Sequence, residues 1–102
     1  MAPRRLDFLL ELAPGGDARA PGGAVTCALC GHWDHPPPCR WPHETRTEVR
    51  ESGLAVTVTV TCPDAEWPEV AERVRSALVR GEQAGPDGRM SCWAVVAESS
   101  EQ

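Results

Sequence analysis

The chain has no tyrosine and one phenylalanine, Phe8, against four tryptophans in 102 residues. Large aromatics are scarce, so each tryptophan is expected to matter locally. A basic surplus is also missing. The formal net charge is −5 and the pI about 5.1, which argues against a protein built to coat nucleic acid. No stretch comes near the roughly 20 consecutive apolar residues that a bilayer-spanning helix needs. The opening segment, Met1 to Leu12, places an arginine pair before an apolar stretch, but Asp7 and Glu11 interrupt it. It therefore does not read as a signal peptide. The expected location is the cytoplasm, where thiols stay reduced. Five cysteines, an odd number, also disfavour a complete disulfide framework. No phosphate-cradling glycine loop, Gly-x-Ser-x-Gly elbow or carboxylate pair at helical spacing in a plausible pocket is found, and nothing else marks the chain as an enzyme.

The remaining composition is that of an ordinary globular domain, with 41% hydrophobic and 25% charged residues. Residues 1–102 are expected to form one domain with a small core. Leu6, Phe8, Leu10 and Leu12 alternate with more polar neighbours, predicting a strand over 5–12. Residues 13–24, rich in proline, glycine and alanine, read as a loop. Residues 44–62 read as a hairpin turning at Glu51-Ser52-Gly53, with a polar first strand suited to a sheet edge. Its second strand, Leu54 to Cys62, alternates most regularly. Trp67, Val70, Ala71, Val74 and Leu78 form one apolar stripe, predicting a helix over 66–80 closed by Gly81 or Gly85. A last strand is predicted over 89–97, with Met90, Cys92, Ala94 and Val96 on one face, and a frayed tail over 98–102. Cys62 and Cys92 are expected to be core residues on strand faces. The expected architecture is α+β: a four-stranded, mostly antiparallel sheet with one helix. Its element order is ferredoxin-like, with a metal-binding loop (residues 25–43) replacing the first helix.

Three of the five cysteines and all three histidines fall between Cys27 and His43. That concentration predicts a metal site, most naturally zinc, which favours four thiolate or imidazole ligands in a tetrahedron. Cys27 and Cys30 form a Cys-x2-Cys pair, and Gly31 lets the backbone curl close to an ion. Cys27 to His35, written Cys-x2-Cys-Gly-x3-His, resembles the first three ligand positions of a zinc knuckle or zinc finger. The resemblance covers this segment alone and implies a structural zinc site. The spacing then departs from the knuckle: three prolines, not four mixed residues, separate His35 from Cys39. A polyproline II run rises about 3.1 Å per residue, placing the Cα atoms of His35 and Cys39 roughly 12 Å apart. Two side chains meeting at one zinc span only about 10 Å. The preferred ligand set is therefore Cys27, Cys30, Cys39 and His43, with His35 in reserve and His32 behind it.

The expected function is a small zinc-binding protein whose structural site orders a protein-interaction surface formed by Trp33, His35 and Trp41. One alternative is nucleic-acid binding through the knuckle-like segment. Another is a metal-handling or redox role for the Cys-x2-Cys pair, although redox dithiols usually open a helix and Gly31 with the prolines opposes a helix after Cys30. Between residues 27 and 50, Arg40, Arg46 and Arg50 are matched by Asp34, Glu44 and Glu48, so ion pairing is expected before phosphate binding. The 44–50 edge offers a route to a homodimer.

Overall fold

The computed structural model of the chain describes residues 3–30 and 41–101. The elements in order are β1 (Pro3–Leu12), α1 (Ala20–Cys30), β2 (His43–Arg50), β3 (Gly53–Thr61), α2 (Trp67–Arg80), β4 (Glu82–Ala84) and β5 (Met90–Glu101). A single 3₁₀ turn, Asp64–Glu66, leads into α2. The strands form one antiparallel sheet in the order β2-β3-β1-β5-β4, curled into a half-barrel. Among the described residues there are thus five strands and two helices, which corrects the expected four-stranded sheet with one helix.

The fifth strand is β4, which pairs Glu82 with Cys92, Gln83 with Ser91 and Ala84 with Met90. Three residues carry no readable alternation, and they become a strand only through the short hairpin that pairs them with Met90, Ser91 and Cys92. The extra helix is α1. Pro21, Gly22 and Gly23 are weak helix formers, so this stretch reads as a loop. Tertiary burial overrides that tendency: Ala20, Ala24, Val25 and Leu29 all enter the core. Asp17 starts the helix. Its carbonyl accepts from the Ala20 N–H at 3.0 Å, and its Oδ1 accepts from the Arg19 N–H at 2.9 Å. The first helix is therefore present, and Cys27 and Cys30 sit on its last turns.

One sheet face is apolar. Leu6, Phe8 and Leu10 of β1 lie opposite Val58, Val56 and Leu54 of β3, and all six are buried. The two helices cover this face, α2 contributing Val70, Val74 and Leu78. The opposite face carries Arg5, Asp7, Thr57 and Thr59, with Thr57 Oγ1 donating to Asp7 Oδ1 at 2.8 Å. Along β5 the expected faces are exchanged. Ser91 and Trp93 are buried, while Met90, Cys92, Ala94 and Val96 are exposed. Pairing with β1 steps from Leu9↔Ala97 to Leu10↔Val95, so Val96 is an extra residue at a bulge. Trp93 is fixed by its indole N–H, which donates to the Leu78 carbonyl at 2.8 Å. The strand continues to Glu101, opposite Arg5, across the residues expected to fray. Cys62 is buried as expected, and Cys92 is not.

Candidate metal and thiol site

The end of α1 and the start of β2 meet at one corner of the molecule. His43 opens β2 opposite Val60, and its ring turns toward α1. Its Nε2 lies 3.2 Å from Thr26 Oγ1. Its Nδ1 lies 3.0 Å from the Trp41 carbonyl and 4.0 Å from Cys30 Sγ. With Zn–S near 2.3 Å and Zn–N near 2.0 Å, two tetrahedral ligands stand about 3.6 Å apart. Cys30 and His43 are thus within a few tenths of an ångström of sharing an ion. The Trp41 carbonyl can only accept, so Nδ1–H donates to it in this structure. Ligation through Nδ1 would require release of that bond and the other tautomer, whose Nε2–H would then donate to Thr26.

Cys27 faces elsewhere. Its Sγ accepts from Gln83 Nε2 of β4 at 3.8 Å, and it lines the groove between the helices beside Arg73, Ser76 and Arg80. Among the described residues no three His, Cys, Asp or Glu side chains gather in a metal-holding group. Cys39, the third expected cysteine ligand, and the histidines His32 and His35 lie outside the described residues, as does Trp33. The four-ligand set is therefore seen here only as the Cys30–His43 pair.

The thiols also differ in chemical state. Cys27, Cys62 and Cys92 are free, whereas Cys30 is disulfide-bonded. Sequence spacing pointed to Cys30 as a ligand and gave no sign of this bond. The Cys-x2-Cys pair closes a helix where redox dithiols open one. The carbonyl end of the dipole lies there and gives a thiolate no stabilisation.

Trp41 departs from the expected partner surface. It is 1% exposed, its indole N–H donates to Glu66 Oε1 at 2.7 Å, and the Arg73 guanidinium lies 5.1 Å from its ring centroid. Just before β2 the chain is thus anchored in the core by an indole, not displayed by it. Scarcity of other large aromatics could have signalled this: a small core uses the bulk it has. Arg73 also donates to the Ala28 carbonyl at 3.3 Å, tying α2 to the last turn of α1.

No family model, curated protein or solved structure matches the chain. Its function is therefore argued from its own residues.

Proposed function

We propose that the protein is a small zinc-binding interaction module. Its metal corner joins the end of α1 to the start of β2, with Cys30 and His43 as the central ligands and Cys27 and Cys39 completing the set. The observation that carries this reading is the 4.0 Å approach of Cys30 Sγ to His43 Nδ1. Cys27 needs a side-chain rotation away from Gln83 to join them. Zinc would order the intervening chain, presenting Trp33 and His35 to a partner protein. Arg4, Arg5, Arg19, Arg46, Arg50, Arg73 and Arg75 each pair with a carboxylate, which supports a protein partner over nucleic acid. We place the protein in the cytoplasm, a reading that the free thiols of Cys27, Cys62 and Cys92 support and the Cys30 disulfide opposes. No described helix is long and apolar enough to cross a membrane.

A second reading rests on the Cys30 disulfide. Here the same corner is closed covalently and no metal binds. The two readings exclude each other at one sulfur, because a ligating thiolate cannot be disulfide-bonded.

The test is metal content and Co²⁺ absorption of the protein purified under reducing conditions, compared with Cys30→Ser, His43→Ala and His35→Ala. The zinc reading expects one ion per chain and a thiolate–Co²⁺ charge-transfer band. Both are lost in Cys30→Ser and His43→Ala and kept in His35→Ala. A reduced protein that takes up neither ion overturns it. An intact mass lower by two hydrogens before reduction, with no metal after it, establishes the disulfide reading instead.

A further inference from the structure

The outer edge of β2 carries a pattern that neither the metal corner nor the core uses. β2 is a terminal strand of the sheet, and among the described residues no strand pairs with its outer side. Glu44, Arg46, Thr47, Glu48, Val49 and Arg50 are all exposed, Val49 to 80%. An open edge of this length is a template for pairing with another strand.

The inner ladder fixes which backbone groups are free. The Thr61 N–H donates to the Pro42 carbonyl at 2.9 Å, so Pro42 and Thr61 are a hydrogen-bonded pair. Alternation along the strand then turns residues 44, 46, 48 and 50 toward β3. Residues 43, 45, 47 and 49 direct their N–H and C=O groups outward. Side chains alternate as well. His43, Thr45, Thr47 and Val49 lie opposite Val60, Val58, Val56 and Leu54 on the helix-covered face. Glu44, Arg46, Glu48 and Arg50 therefore line the open face in alternating sign.

We infer that two copies of the chain pair antiparallel through β2, about a two-fold axis at Thr47, making one continuous sheet. In this register Thr47 exchanges both backbone bonds with its copy. Thr45 exchanges both with Val49 of the second copy, and Val49 with Thr45, giving six outward bonds in phase. On the open face Glu44 stands opposite Arg50 of the second copy, and Arg46 opposite Glu48. Every facing charged pair has opposite sign.

Neighbouring registers fail on the same residues. Slipping by two residues centres the axis on Arg46 or Glu48. The first sets Glu44 against Glu48 and Arg46 against itself; the second sets Arg46 against Arg50 and Glu48 against itself. Like charges directly opposite destabilise a pair. A slip by one residue sets outward backbone groups against inward ones and breaks the ladder. Charge on an edge strand ordinarily keeps copies apart; here its alternation makes the strand complementary to itself. The match is fullest about Thr47, where Glu44, Arg46, Glu48 and Arg50 all face opposite charges, whereas an axis at Thr45 or Val49 leaves half of them without an oppositely charged partner. The existing contacts, Arg46 to Glu44 at 2.8 Å and Arg50 to Glu48 at 3.1 Å, are exposed and of little individual worth, so exchanging partners costs little. The interface is isologous, as a two-fold dimer requires, and does not depend on metal.

The test is sedimentation equilibrium of the full chain under reducing conditions across a wide concentration range. The expected species at high concentration has about twice the 11.0 kDa chain mass. Arg46→Glu or Glu48→Arg alone turns two facing pairs repulsive and should weaken the dimer by about tenfold. The double variant restores opposite signs and should recover to within about threefold of the original. Thr47→Pro removes a central outward N–H without touching the inner ladder, so it should leave the monomer folded by circular dichroism and abolish the dimer. A wild-type chain that stays monomeric throughout, association that survives Thr47→Pro, or a double variant no better than its parents overturns the inference.

Discussion

Two residues show how burial assigns roles that composition leaves open. Trp41 looks like a contact residue beside a proline run, yet it is among the largest fully buried side chains. Truncation to alanine removes that bulk and the bond to Glu66, and should cost about 3–5 kcal/mol. The corresponding fall in Tm is at least about 12 °C for a domain of this size, read by thermal circular dichroism. An exposed tryptophan at this position would give a change of a few degrees at most. Cys62 is the second case. Burial pushes its thiol above the ordinary value of 9.0, and the charge of Glu66 adds to the effect. The protonated form is favoured in the folded state, so its contribution is fully present below the unfolded thiol's value. It is lost as pH rises through the folded value. Tm should hold steady at neutral pH and decline above about pH 9, and Cys62→Ala should flatten that decline. In thiol labelling, Cys27 and exposed Cys92 should react well before Cys62.

At the scale of elements, α2 and α1 are opposites. The stripe from Trp67 to Leu78 predicts α2 nearly to the residue, because about three turns of regular spacing leave little choice of face. Gly81 closes it at φ 75°, with its N–H donating to the Leu78 carbonyl at 3.1 Å. A Cβ there would stand 2.5 Å from the Trp93 carbonyl oxygen. Gly81→Ala therefore adds steric conflict to the backbone strain and should destabilise by roughly 1–3 kcal/mol, measured by urea unfolding with an unchanged m-value. α1 has no such signature. It forms because small residues let it lie close to the sheet: a Cβ on Gly22 would already touch Thr45 Cγ2 at 3.5 Å. That reason is visible only once Thr45 is in place. The β5 faces were misread for a related reason. A one-residue bulge at Val96 and the Trp93–Leu78 bond set the inward face, and neither is encoded in alternation alone.

For the whole molecule, the chain closes its apolar surface with two helices on one face of the sheet and leaves the other face polar. The candidate site stands where the two halves of the chain meet, at the α1–β2 corner. The clustering of cysteine and histidine over residues 27–43 marked that corner from sequence, and the structure sets His43 Nδ1 4.0 Å from Cys30 Sγ. What spacing could not give was direction. Cys27 and Cys30 are three residues apart on a helix, and packing against β4 and α2 turns one toward Gln83 while the other meets His43. A Cys-x2-Cys pair read on a loop would have pointed both at one ion.

By itself, the sequence determined the β3 strand, the α2 helix, the hairpin between β2 and β3 and the concentration of ligating residues, because each is set by local spacing or turn chemistry. The tertiary structure decided the number of strands, the existence of α1, the inward face of β5, the burial of Trp41 and the separate surroundings of the two α1 cysteines. Apart from the short β4–β5 hairpin, these depend on partners distant in the chain, whose packing outweighs the few tenths of a kcal/mol per residue that intrinsic propensity contributes.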